Sequence, residues 1–222
     1  MQVQNWMSTG VVTVTEDTPI VDVIHRFETH GIRHVPVIRD RGLVGMITDQ
    51  DVKEATPSKT TTMTARELYH LLGELKARDV MQPNPVTMRP YESVELAALR
   101  MLENKVTGMP VATDEGELVG IISQVDVLRF LVSITGIYQR GVQFGFNLED
   151  RPGSIRDVAD VIRRENAQIV SILSSTDTAD DGYRHVFMRI KPIPDDALER
   201  LVASLNQKFM VLYTAKDPID KT

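Results

Sequence analysis

Apolar residues recur at helical spacing in two separate stretches, Ile20, Val23, Ile24 and Phe27 in one and Val94, Ala97, Ala98 and Met101 in the other. Each predicts an amphipathic helix with one face turned to a core. A short β-branched run precedes each helix, at residues 11–15 or at Val86 and Thr87, and a strand around Pro-Val follows, at 35–38 or 109–112. A turn carrying Asp and Gly (Asp40 and Gly42; Asp114 and Gly116) leads into strands 43–47 or 118–122, and a further helix starts near Thr48 or Ser123. The predicted unit is β-α-β-β-α, written twice.

The two units align residue by residue. Residues 7–15 set against 81–89, His34-Val-Pro-Val37 against Gly108-Met-Pro-Val111, and 42–52 against 116–127, with Glu117 as the single insertion. A period this long means two copies of one supersecondary unit, not a solenoid. Between them, residues 56–63 are polar and carry a proline, which predicts an exposed linker. Thr64-Ala-Arg-Glu67 then forms a capping box for a helix whose Leu68, Leu71, Leu72 and Leu75 make an apolar stripe packed on the repeats. From about residue 140 the pattern changes to strand 143–148, a tight turn, helix 154–166, strand 169–174, an acidic loop at 176–182, strand 185–190, helix 194–205 and strand 209–213. That β-α-β-β-α-β order predicts a separate ferredoxin-like domain.

The 222 residues are 42% hydrophobic and 25% charged, an ordinary globular balance. The absence of cysteine excludes disulfides, thiolate metal sites and cysteine nucleophiles. With 25 Lys and Arg against 31 Asp and Glu, the net charge of −6 argues against a nucleic-acid partner. No apolar run approaches the ~20 residues of a bilayer span, and residues 1–6 have neither a basic nor an apolar leader region. The expectation is a cytoplasmic protein with no membrane partner.

The sharpest chemical signal is Gly45-Met-Ile-Thr48-Asp-Gln-Asp51 and its counterpart Gly120-Ile-Ile-Ser123-Gln-Val-Asp126. A hydroxyl three residues before a carboxylate at a helix start reads as a cap. It reads equally as an acceptor for ribose hydroxyls, beside a helix N-terminus that favours a phosphate. Arg33 and His34 precede Val35-Pro36, where copy 2 has Thr107 and Gly108; a guanidinium there reads as a bidentate anion ligand or as a solvated surface charge, and the histidine as its companion or as a packing residue. At Asp150-Arg-Pro-Gly153, Gly153 allows close backbone approach and the helix start offers N–H groups to a carboxylate. The bland alternative is a tight turn with Ser154 as the helix cap. The five histidines suggest no metal pair, since His30 and His34 are separated by Gly31 and a strand. No nucleophile elbow or Walker loop is present, so no active site is predicted.

Residues 5–131 resemble a pair of cystathionine-β-synthase (CBS) domains through the Met-x-x-x-x-Val-Thr, His/Gly-x-Pro-Val and Gly-hydrophobic-hydrophobic-Thr/Ser-x-x-Asp motifs. The resemblance implies an adenosyl ligand between the copies, with Thr48 and Asp51, or Ser123 and Asp126, on the ribose. It sets the adenine against Val12, Thr13, Val35 and Pro36, or against Val86, Thr87, Met109 and Pro110, and a phosphate at Arg33 and His34. The C-terminal region resembles the ACT domain through Asp150-Arg-Pro-Gly153, implying an amino acid at Asp150, Pro152, Gly153, Ser154 and Ile155, or a dimerisation surface. The order of domains resembles the AcuB-like family, named after acetoin utilisation. The implied fold is α+β: CBS domain 1 at 1–56, linker and helix at 57–78, CBS domain 2 at 79–135 and a βαββαβ ACT domain at 140–216. The implied function is non-catalytic regulation by AMP, ADP, ATP or S-adenosylmethionine, with no required cofactor or metal, in a homodimer acting on an unidentified target protein. The alternative is a structural module that dimerises and docks on a target enzyme without ligand.

Overall fold

The computed structural model describes residues 1–40, 42–56, 70 and 72–217. The chain divides into two compact units, Met1–Leu128 and Arg129–Thr222. Of the linker expected at 56–63, all but Thr56 lies outside the described residues, as do the capping box at 64–67, Leu68 and Leu71.

Copy 1 consists of β1 (Val14–Thr15), α1 (Ile20–His30), β2 (His34–Arg39), β3 (Gly42–Thr48) and α2 (Asp49–Ala55). β1 runs parallel to β2 with Val14 opposite Val37, and β2 runs antiparallel to β3 with His34 opposite Thr48. Ile20, Val23, Val35, Val37, Ile47 and Val52 fill the core, so the helical and strand periodicities converge on one cluster. Leu72 is buried in the same cluster with Leu75 packed against it, the packing role expected of that stripe.

Copy 2 follows as α3 (Ala77–Val80), β4 (Gln82–Pro83), α4 (Val94–Asn104), β5 (Gly108–Ala112), β6 (Leu118–Ser123) and α5 (Gln124–Thr135). The strand expected at Val86 and Thr87 is reduced to one parallel bridge, Met88 to Val111. Upstream, Asn84 sits at φ 48° between Pro83 and Pro85, which cannot donate to a ladder. The two copies also end their first helices differently. Gly31 closes α1 in the left-handed region at φ 61°, while Lys105 does the same for α4 at φ 56° and bears the cost of a Cβ there.

The copies exchange edges. β4, which leads into copy 2, pairs with β3 of copy 1, setting Gly45 opposite Pro83. Reciprocally, Ser8, which leads into copy 1, bridges to Ile121 of β6. A Cβ on Gly45 would lie 2.4 Å from the Met81 sulfur, and a Cβ on Gly120 equally 2.4 Å from that of Met7. The glycine that opens each Gly-x-x-Thr/Ser motif therefore makes room for the methionine that introduces the other copy.

The second unit contains β7 (Val142–Glu149), α6 (Ser154–Arg164), β8 (Ile169–Ser175), β9 (Tyr183–Ile190), α7 (Asp195–Lys208) and β10 (Met210–Lys216). The sheet is antiparallel in the order β10-β7-β9-β8. Phe144, Phe146, Val158, Ile162, Met188, Leu201 and Leu205 form its core. Arg189 is buried in an ion pair with Asp217 at 3.1 Å and donates to the Thr135 carbonyl, so the buried charge is matched. Among the described residues no helix is long and apolar enough to cross a membrane.

Candidate functional site

The motif residues lie where β3 gives way to α2 and β6 to α5. In copy 1 the Asp51 amide donates to Thr48 Oγ1 at 3.2 Å, while Asp51 Oδ2 accepts the Thr48 amide at 2.7 Å and its hydroxyl at 2.6 Å. In copy 2 Asp126 Oδ2 accepts the Ser123 amide at 2.9 Å and its hydroxyl at 2.6 Å. The capping interaction is thus formed, worth on the order of 1 kcal/mol. It engages one carboxylate oxygen, so capping and diol recognition are compatible. In copy 1 the other oxygen, Oδ1, accepts Gln82 Nε2 at 3.1 Å. Asp126 is only 4% exposed, whereas Asp51 is half-buried.

Arg33 and Thr107 occupy equivalent positions over the two helix starts. The Arg33 carbonyl accepts the Asp49 amide at 3.2 Å, and the Thr107 carbonyl accepts the Gln124 amide at 2.9 Å. These corners meet each other: His34 Nε2 and Thr107 Oγ1 are 2.8 Å apart. The His34 ring fills the space that Gly108 leaves, and a Cβ on Gly108 would come within 2.7 Å of Nε2. Burial holds the His34 imidazole below its ordinary range, with Arg33 acting in the same direction and Asp49, Asp126 and Asp51 against it. His34 is therefore a neutral contact between the copies, while Arg33 is exposed beside it. Lys53 holds the Asp49 carboxyl below its ordinary range, with Arg33 a smaller contributor.

The remaining expected residues fall beside the motif. The Val14–Val37 pairing brings the half-buried Val12 and Thr13 abreast of the buried Val35 and Pro36. The Met88–Val111 bridge does the same for Val86 and Thr87 against the buried Met109 and Pro110. Sequence reasoning missed Gln82 and Thr107. Both sit in aligned repeat positions, but local periodicity carries no sign that their segments cross to the other copy.

In the second unit, Asp150, Pro152, Gly153, Ser154 and Ile155 line one cavity of about 660 Å³ together with Arg151, Arg156, Ala159 and Arg184. Asp150 pairs with Arg184 at 3.0 Å, and Arg151 with Asp157 at 2.9 Å. The N-cap of α6 is Gly153 at φ 90°, with no side-chain cap. Ser154, expected as the cap in the bland reading, is instead the first helical residue and is buried, because the left-handed glycine already turns the chain. Among the described residues no group of three or more His, Asp or Glu is placed to hold a metal ion.

Comparison with known proteins follows the same division. The CBS domain family model matches residues 3–58 and 77–133. A CBS domain-containing protein of Dictyostelium discoideum is 30% identical over 133 residues, 60% of this chain and 92% of that protein. A homoserine O-acetyltransferase of Methanosalsum zhilinae is 29% identical over 130 residues, 58% of this chain but only 24% of its own length. Among solved structures, the CBS-pair protein CBSX2 of Arabidopsis thaliana has a TM-score of 0.53 and 26% identity, covering 61% of this chain and 96% of that one. CBSX2 has also been solved in complex with AMP. The CBS domain pair of protein MJ0100, in complex with 5′-methylthioadenosine and S-adenosyl-L-methionine, has a TM-score of 0.51 at 24% identity over 60% of this chain and 97% of its own. A putative acetoin utilization protein (AcuB) of Vibrio cholerae has a TM-score of 0.51 at 23% identity, covering 63% and 96%. The last two likenesses establish a shared fold. Two matched domains joined by reciprocal edge strands account for half of the sequence, and the chain belongs to the CBS domain family.

Proposed function

We propose that the CBS pair is a non-catalytic regulatory module that binds an adenine nucleotide or adenosyl compound between its two copies. The reading is carried by the twin Thr48–Asp51 and Ser123–Asp126 pairs, in each of which a carboxylate oxygen holds the motif hydroxyl at a helix start. A carboxylate at such a corner is placed to exchange its present contacts for those of a vicinal diol, and the adjacent helix N-terminus favours a 5′-phosphate. At Asp51 the ligand has to displace the Gln82 amide. Arg33 supplies a cation that Thr107 does not, so charged nucleotides are assigned to the Arg33 side and less charged adenosyl compounds to the other. The complexes of CBSX2 and MJ0100 contain ligands of these two kinds.

The C-terminal unit is read as a ferredoxin-like ACT domain that binds an amino acid in the cavity at Asp150 to Ile155 and Arg184. Support comes from its β-α-β-β-α-β order and from the five expected residues lining one hollow. Ligand in the CBS cleft then acts by favouring one arrangement of the copies. Calorimetry with AMP, ATP and S-adenosylmethionine tests the reading on wild type, Asp51→Asn and Asp126→Asn. Each asparagine keeps the cap acceptor and removes the charge. The expected result is a loss of affinity of about 10-fold in the variant whose site is occupied. No binding of any of the three by folded wild type favours a docking module without ligand.

A further inference from the structure

Cations converge on the start of α6 in a chain whose net charge is −6. The guanidiniums of Arg151, Arg156 and Arg184 line the cavity there against one carboxylate, Asp150. Two of the three are matched by acids. Arg151 is held by Asp157 at 2.9 Å and by Glu149 at 3.1 Å, and Arg184 Nε faces Asp150 Oδ1 at 3.0 Å. That approach is off the hydrogen-bond direction, so the Arg184 Nε donor is buried with no acceptor aligned on it. Arg156 is matched least. It meets Asp160 at 3.7 Å, too far for a hydrogen bond, and Arg163 already holds Asp160 at 3.1 Å. Its side chain is 82% exposed in the first turn of α6, where a cation opposes the helix dipole. Asp157, the acid of the same turn, is committed to Arg151.

We propose that the amino acid bound here is an acidic one, so that the site takes glutamate or aspartate in preference to any neutral amino acid. This deepens the reading of the C-terminal unit as an amino-acid-binding domain and rests on it. Each part of such a ligand has a counterpart in the cavity. The first turn of α6, whose N-cap Gly153 brings no side chain, offers backbone N–H groups to the α-carboxylate. Asp150, 44% exposed, accepts the α-ammonium. Arg156 takes the side-chain carboxylate in the two-pronged geometry of a guanidinium and a carboxylate. Size does not select, since about 660 Å³ admits any amino acid. Charge does: a neutral side chain leaves Arg156 opposed to the helix dipole, and an acidic one relieves it.

Calorimetry of the full chain at low ionic strength tests this with glutamate, aspartate, glutamine, asparagine and leucine. At least one of the two acids is expected to bind about 10-fold or more tightly than its own amide, which has the same size without the charge. Arg156→Met is expected to weaken that acid about 10-fold and to leave its amide within about 2-fold. Arg164→Met removes the same charge from the exposed far end of the same helix, and is expected to change the acid less than about 2-fold. Both arginines are exposed, so the circular dichroism spectrum is expected to be unchanged in each variant. An amide or leucine bound as tightly as the acids would overturn the proposal and leave the amino-acid reading standing. So would equal weakening of acid and amide by Arg156→Met, or equal weakening of the acid by the two arginine variants. Binding of none of the five by folded wild type would overturn both.

Discussion

The two copies of the repeat share a backbone plan and diverge in what that plan carries. Their buried positions are interchangeable: Ile20, Val23 and Ile47 in copy 1 match Val94, Ala97 and Ile122 in copy 2, all inaccessible to solvent. Their corners are not interchangeable. Arg33 and His34 face Thr107 and Gly108, and the ring of His34 occupies the volume that the missing side chain of Gly108 vacates. The outer helix faces differ again, polar in one copy and apolar in the other. Duplication thus supplies a symmetric frame, and single substitutions near the pseudo-symmetry axis and on the rim give the halves different work.

The largest effect expected from breaking this comparison is at Gly108. Gly108→Ala is expected to cost about 1–3 kcal/mol by forcing the His34 ring out of place. The same change in a His34→Ala background is expected to cost little, so a double-mutant cycle by chemical denaturation reads the coupling directly. Additive effects would show that the two residues do not share that space.

A pH series sharpens the same contact. The folded His34 pKa lies below its unfolded value through burial, so the unfolded state binds the proton more readily. The neutral ring's contribution is complete above the unfolded value of about 6.5 and declines as pH falls below it. The groups facing the ring are Thr107, Arg33, Asp49, Asp51 and Asp126. Wild type is therefore expected to lose more stability than His34→Asn between about pH 7.5 and about pH 5.5. Parallel curves for the two proteins would remove His34 as the source.

The smallest effect concerns the helix ends. Lys105→Gly gives α4 the left-handed terminus that α1 already has, and is expected to stabilise by about 0.5–1 kcal/mol in thermal unfolding. Gly31→Lys is expected to cost about 1 kcal/mol.

Much of this was legible in the chain itself. The repeat, the helix faces and the Thr/Ser-x-x-Asp corners follow from periodicity and capping chemistry, which are local. The β-α-β-β-α-β order of the second unit was legible for the same reason, with strands found within a few residues of the expected ends. What could not be read was long-range. The exchange of Met7 and Met81 between copies, the Gln82 bond to Asp51 and the seating of His34 on Gly108 all join residues from different repeats. The strands expected at 11–15 and at Val86 and Thr87 shorten alike, to Val14–Thr15 and to the Met88 bridge, and the Ser154 cap gives way to a left-handed Gly153. In the second case a hydroxyl residue has the right propensity, and its neighbour's backbone decides the outcome.

The central claim is that the two copies form one adenosyl cleft made asymmetric by Arg33. Its most direct test is calorimetry of AMP and adenosine against wild type and Arg33→Thr, the residue that copy 2 carries at the equivalent position. The account predicts that Arg33→Thr weakens AMP by about 10- to 100-fold and leaves adenosine within about 2-fold, because only the phosphate contact is lost. Equal weakening of both ligands, or an AMP affinity unmoved by the substitution, would contradict it.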